Sequence, residues 1–176
     1  MILGDKRLKE LHRQKAFEDM NEVQINPASV NITLGKSFLV PKKVLFGGVA
    51  LGDEVPYKHI FIEDDELLKL RPGEFVLGTT HEYFEIPANL SAFVQGRSSI
   101  GRAGLSIQNA GFVDPGFAGQ ITLELKNDSP NVIYLKPGYP VGQLVLFDTS
   151  DVEKPYCGKY VGQIGATGSR MHKDVL

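Results

Sequence analysis

Beyond Asn26-Pro27 the chain never sustains the three-to-four-residue apolar period of a helix. It runs instead through short stretches rich in Val, Ile, Phe and Thr: SVNITLG, SFLV, KVLFG, HIFIE, EFVLGTT, YFEI, AFVQG, LSIQ, QITLELKN, VIYL and VGQLVLFD. Gly, Pro and Asn punctuate them, and 19 glycines and 10 prolines supply many tight connections. Runs of this length and composition predict strands joined by turns. Such a density of short strands restricts the chain to a mainly β architecture: an antiparallel sandwich, a jelly roll or a barrel. The 176 residues suit one domain, since a chain of about 150 residues buries roughly 70% of the surface it exposes when unfolded.

Three segments depart from this texture. Residues 3–20, LGDKRLKELHRQKAFEDM, predict a short N-terminal helix with Leu8, Leu11, the Lys15 stem and Phe17 along one stripe and Asp5 as its N-cap. RSSIGRAG predicts a single helical turn. The tail from Cys157 to Leu176, CGKYVGQIGATGSRMHKDVL, is glycine-rich and polar. It reads either as a flexible end or as an arm that orders on a ligand or partner.

Charge and cysteine content remove several function classes. The net charge of -2 provides no global basic field for a nucleic acid polymer. The single cysteine, Cys157, allows no disulfide within the chain and no cysteine-based zinc set. A zinc deaminase needs His-x-Glu with Pro-Cys-x-x-Cys, which is missing. HEYFE at 81–85 opens like the zinc motif His-Glu-x-x-His but ends on Glu85. There is no Walker A sequence, no Gly-x-Gly-x-x-Gly and no Gly-x-Ser-x-Gly elbow. No apolar run approaches the roughly 20 residues of a membrane span. MILGDKRLKE is charged too early for a signal peptide. The expectation is a soluble, cytoplasmic protein.

What remains is a local pattern. No Asp or Glu occurs between Glu85 and Asp114, and inside that window stand Arg97, Ser98, Ser99 and Arg102. Two permanent cations, two hydroxyls and the free N–H groups of a helical turn through Ile100 and Gly101 suit a polyphosphate cradle. The same residues also read as a solvated basic turn. Asp114, in GFVDPGF, is either a turn-capping aspartate or a rigidly held acceptor for a sugar hydroxyl. In GQITLELKN, alternation puts Ile121, Leu123 and Leu125 on one face and Gln120, Thr122, Glu124 and Lys126 on the other. That polar face either meets solvent or, inside a cleft, suits Glu124 to acid–base work. Gln143 in PGYPVGQLVLF is an outward strand position or an amide that reads a base. Tyr156, Lys159 and Gln163 lie in a flexible tail or offer a stacking ring, a cation and an amide to a nucleotide.

Taken in order, MILGDKRLKE, PASVNITLG, GRSSIGRAGL, AGFVDPGFAGQITLEL, PGYPVGQLVLF and KYVGQIGATGSRMHKD resemble the dCTP deaminase and dUTPase superfamily over nearly the whole chain. The resemblance implies a distorted jelly-roll β-barrel, dUTPase-like, with a short N-terminal helix. It implies one domain over residues 1–176, a homotrimer with active sites between subunits, and residues 157–176 as a C-terminal arm closing over the site. Glu124 would take a proton from water and deliver it to the leaving amino group of cytosine. Ser98 and Arg102 would orient that water beside the backbone carbonyl of Ala110, and Asp114 would meet the deoxyribose 3′-hydroxyl. Arg97, Ser98 and Ser99 would meet phosphates, Thr122, Leu123 and Glu124 the base, and Ile100, Gly101 and Arg102 would complete the nucleotide-binding turn. Gln143, Tyr156, Lys159 and Gln163 match further nucleotide contacts. No residue of the chain is implied as a metal ligand: Mg2+ rides on the substrate triphosphate, and zinc is not used. The pair Gly111-Phe112 resembles the members that form dUMP, turning dCTP and two waters into dUMP, ammonia and diphosphate for thymidylate synthesis. The scaffold also serves monofunctional dUTPases, dUTP-forming deaminases and non-catalytic nucleotide-binding regulators. Asn31 and Thr33 stand where the deaminases resemble Asp and Arg. The implied partners are dCTP or dUTP, dTTP as a candidate inhibitor, and copies of the same chain, with no membrane and no nucleic acid polymer.

Overall fold

The computed structural model describes residues 1–108 and 111–174, so Ala110 lies outside the described residues. The strands are β1 (Phe17–Glu18), β2 (Ile25–Asn26), β3 (Ser29–Thr33), β4 (Ser37–Pro41), β5 (Tyr57–Phe61), β6 (Leu68–Leu70) and β7 (Phe75–Glu85). They continue with β8 (Leu90–Gly96), β9 (Leu105–Gln108), β10 (Phe112–Val113), β11 (Ala118–Asn127), β12 (Ile133–Leu135) and β13 (Pro140–Asp148). Two sheets carry the fold, both antiparallel. One runs β5-β4-β7-β11-β9 with β1 alongside β7; the other runs β10-β8-β13-β3-β2. A small ribbon pairs β12 with β6.

Each sheet turns alternate residues inward. Val30 and Ile32 of β3, Leu90, Ala92 and Val94 of β8, and Leu144 and Leu146 of β13 meet Leu123 and Leu125 of β11 and Phe84 of β7 in one apolar core. Phe17 closes one end, edge-on to Phe84 with ring centroids 5.8 Å apart. β7 is buried from Val76 through Thr80. On its second face Leu77 and Phe75 pack with Leu39, Ala166 and the ring of Tyr57.

The N-terminal helix is shorter than the sequence predicts: it spans Asp5–Arg13, with Leu8 and Leu11 buried as expected. Its N-cap is Gly4, and Asp5 is the first helical residue. Lys15 adopts φ 62, the Lys15 amide bonds the His12 carbonyl, and the Ala16 amide bonds the Leu11 carbonyl. That pattern is a helix-closing reversal. It frees Phe17 to pair with Phe84 as a strand. KVLFG, expected as a strand, is a loop in which Gly47 and Gly48 take positive φ and Phe46 is exposed. EFVLGTT and YFEI merge into the single long β7. The short β6 is an addition that no apolar run marked.

HEYFE is resolved by the packing. Glu82 is fully buried. Its carboxyl group accepts bonds from Gln24 Nε2 (2.7 Å), Thr33 Oγ1 (2.7 Å) and the Thr33 amide (3.0 Å). The acid is a fastener between the two sheets.

Candidate active site

A cleft of about 450 Å³ runs from Phe75, Leu77, Thr122 and Glu124 on the six-stranded sheet to the core residues Val94, Val113, Phe117 and Ile121. β11 forms its floor. The alternation predicted from the sequence holds in burial: Ile121, Leu123 and Leu125 are buried and Thr122 and Glu124 half-buried; Thr122, Glu124 and the neighbouring Ile121 line the cleft. The Leu123 side chain belongs to the core and does not line the cleft.

Asp114 stands at one end of the cleft in a tight turn. The Phe117 amide bonds the Asp114 carbonyl at 3.1 Å, and Gly116 has φ 86. Proline second and a positive-φ glycine third make a type II turn. The closing bond runs backbone to backbone, so the exposed carboxyl group of Asp114 is not spent in forming the turn. Gly111 and Phe112 line the cleft beside it.

The tail roofs this space. It docks on β11 of its own chain through a parallel bridge between Gly119 and Gln163. The Gly162 amide bonds the Ala118 carbonyl (2.7 Å), and the Gln120 amide bonds the Gln163 carbonyl (2.9 Å). Gln120 Oε1 accepts from the Gly165 amide (2.7 Å), Ser37 Oγ from the Ala166 amide (3.1 Å) and Thr122 Oγ1 from the Thr167 amide (3.0 Å). Tyr156 and Gln163 both line the cleft. Gln163 is buried, with Nε2 donating to the Gln120 carbonyl (2.7 Å) and Oε1 unpartnered. Lys159 turns away from the cleft to form an ion pair with Asp174, which raises its pKa.

The basic turn lies elsewhere. The helical turn Ser98–Arg102 forms as predicted, with Arg97 as N-cap and the Ile100 and Gly101 amides both bonding the Arg97 carbonyl at 3.0 Å. Ser98, Ser99, Gly101 and Arg102 are exposed and Ile100 half-buried. None of the six residues from Arg97 to Arg102 lines the cleft of the same chain. Asp128, which follows β11, is held by Lys126 at 2.6 Å and by Ser106 at 2.6 Å, and Lys126 keeps its carboxyl below the usual range. Among the described residues neither Arg97 nor Arg102 has an ion pair; Arg97 Nη1 donates to the Pro140 carbonyl at 3.3 Å. Gln143 also lies apart, on β13 of the other sheet, opposite Gln95 and Asn31.

Sequence reasoning missed Tyr57, Tyr160, Thr167, Gly168 and Ser169, all of which line the cleft. The hydroxyl and glycine content of GATGSR was the available signal for the last three. Tyr57 carried none, because its place depends on how β5 meets the tail. Among the described residues, no group of three or more His, Cys, Asp or Glu gathers to hold a metal ion.

Comparison with known proteins follows the same outline. A family model described as dCTP deaminase-like matches residues 2–149. A protein of Persephonella marina named "dCTP deaminase, dUMP-forming" is 42% identical over 178 residues, covering 99% of each chain. A protein of the same name from Sulfurihydrogenibium is 43% identical over 184 residues, again covering 99% of each. A Natronomonas pharaonis protein named "dCTP deaminase" is 40% identical over 166 residues, 89% of this chain and 85% of that one. Among solved structures, the 2'-deoxycytidine 5'-triphosphate deaminase of Agrobacterium tumefaciens superposes with a TM-score of 0.67 at 19% identity, over 85% of this chain and 49% of that one. The dUTPase of Streptococcus mutans gives 0.51 at 17% identity, over 79% and 99%. These two likenesses establish a mainly β, dUTPase-like fold.

Proposed function

Because the chain belongs to the dCTP deaminase-like family, we propose that it is a bifunctional, dUMP-forming dCTP deaminase, converting dCTP and two waters to dUMP, ammonia and diphosphate. The observation that carries this reading is Glu124 on the floor of a roofed cleft, between Thr122 and the apolar wall of Leu77 and Phe75, with Asp114 in the same cleft. Glu124 takes a proton from water and delivers it to the leaving amino nitrogen, so that oxygen replaces nitrogen at C4 of the pyrimidine. General acid–base transfer of this kind contributes about 10²–10⁴-fold. Asp114 accepts from the 3′-hydroxyl, and Thr122 with the Leu123 backbone holds the base edge. Tyr156 and Gln163 close the site from the tail, while Lys159, paired with Asp174, stands outside it.

The reading includes a distorted jelly-roll barrel over residues 1–176, assembled as a cytoplasmic homotrimer with 157–176 as its closing arm. Two features support the assembly. Ser98, Arg102 and Gln143 lie outside the cleft that holds Glu124 in the same chain, and in this reading a second copy brings the phosphate cradle. The outer face of the five-stranded sheet exposes Phe93 and Phe112, whose rings meet each other and Phe147 at centroid distances of 5.1–6.3 Å. Phe112 also lines the cleft. Mg2+ arrives on the triphosphate as part of the substrate, and dTTP is a candidate inhibitor.

The test is product analysis of dCTP and dUTP incubated separately with the protein and Mg2+. Ammonia and dUMP should appear in step from dCTP, and Glu124→Gln should abolish deamination while leaving dCTP binding intact. Lasting release of dUTP removes the bifunctional part of the reading. Turnover of dUTP alone makes the protein a dUTPase, and turnover of neither, with binding retained, makes it a regulator.

A further inference from the structure

Tyr57 stands at the junction of the cleft and its roof, more than a hundred residues before the segment it touches. Its ring is half-buried against Leu39, Leu77 and Ala166. Its hydroxyl oxygen accepts a hydrogen bond from the Ser169 amide at 3.2 Å. Gly168 lies against the ring face so closely that a Cβ there would stand 2.6 Å from Cε2 and 2.9 Å from Cδ2. The same tyrosine lines the cleft together with Glu124, Thr122 and the tail residues Thr167 to Ser169.

Local sequence requires none of these contacts. Ser37 Oγ, Gln120 Oε1 and Thr122 Oγ1 hold the Ala166, Gly165 and Thr167 amides from β4 and β11. Tyr57 is the last anchor before the chain turns away, where the Arg170 amide bonds Tyr160 within the tail itself. Past Thr167, therefore, Tyr57 ties the roof to the barrel. The glycine at 168 fits this role, since any side chain there would push the tail off the ring.

We propose that Tyr57 is a positioning residue: it hangs residues 166–169 over the cleft and so sets how tightly the closed site holds its nucleotide. The inference rests on the function proposed above for that cleft. It does not place Tyr57 in the chemical step. Its hydroxyl oxygen accepts from the Ser169 amide, and its effect passes through the tail.

Tyr57→Phe keeps the ring and removes the acceptor; Tyr57→Ala removes both. Hydrogen exchange of the tail amides is read on the full chain without nucleotide, alongside KM and kcat for dCTP with Mg2+. Tyr57→Phe should speed exchange at residues 167–170 and raise KM roughly five-fold, the equivalent of one neutral hydrogen bond, with kcat changed less than two-fold. Tyr57→Ala should do more of both, so that phenylalanine partly rescues it. Unchanged tail exchange in Tyr57→Phe overturns the proposal, and so does a fall in kcat at constant KM. If the unmodified protein turns over no nucleotide, the functional reading has failed, while the exchange experiment still decides whether Tyr57 anchors the tail.

Discussion

Replacing Glu82 by alanine tests whether the two sheets are fastened by one buried acid. In the folded chain Glu82 is inaccessible and receives Gln24 Nε2, the Thr33 amide and Thr33 Oγ1 at 2.7–3.1 Å. Truncation leaves both donors of the half-buried Thr33 without their acceptor, whereas Gln24 keeps its bond to the Asn31 carbonyl at 3.0 Å. A donor stranded in this way costs about 1–3 kcal/mol, and the lost side-chain volume adds to it. Together these give roughly 3–5 kcal/mol. For a chain of 150–250 residues, each kcal/mol lowers the melting temperature by roughly 2–4 °C, so the fall should be about 6–20 °C. Glu82→Gln keeps the shape but turns one acceptor into a donor facing another donor, and should cost less, about 1–2 kcal/mol. Thermal unfolding followed by circular dichroism at fixed protein concentration measures both, the fixed concentration being needed where assembly contributes to stability. A melting temperature for Glu82→Ala within 2 °C of the unmodified protein would refute the fastener. Glu82→Gln proving worse than Glu82→Ala would refute the hydrogen-bond reasoning behind it.

Gly119 has φ 149, and a Cβ there would lie 3.0 Å from the Gln163 carbonyl oxygen. Gly119→Ala should therefore loosen the tail, expose it to trypsin and raise KM for dCTP severalfold while the barrel melts nearly unchanged. Phe147→Asp places a charge on the aromatic face beside Phe93 and Phe112; size-exclusion chromatography should show a smaller species, and activity should fall with it. The double substitution Gly111→His with Phe112→Arg should make dUTP the lasting product from dCTP, detected by anion-exchange chromatography.

Much of the site was legible from local pattern. The alternation of β11 assigns Glu124 and Thr122 to one face and Leu123 to the other, because successive side chains of a strand point to opposite sides. Asp-Pro-Gly-Phe specifies its own turn, and Ser-Ser-Ile-Gly-Arg its own helical turn, within a few residues. Other expectations failed where distant contacts outweigh local preference. The N-terminal helix stops at Arg13 because Phe17 is recruited to pair with Phe84. KVLFG, apolar enough for a strand, finds no partner edge and remains a loop with Leu45 and Phe46 exposed. HEYFE looked like a fragment of a metal motif, and only Thr33 and Gln24, 49 and 58 residues away in sequence, show Glu82 to be a buried fastener.

Composition, turn residues and strand periodicity by themselves determined a mainly β chain, the face on which Glu124 lies and the existence of a basic helical turn. Each depends on neighbours a few residues apart. Which cleft Glu124 enters, that its roof is the chain's own tail hung on Tyr57, and that Arg97 to Arg102 stand outside that cleft were decided only by the tertiary structure. Those facts rest on hydrogen bonds and packing between segments 40 or more residues apart in sequence, such as Gly165 to Gln120 and Ser169 to Tyr57. No local propensity encodes such contacts, because their free energy appears only once the sheets have closed around the core.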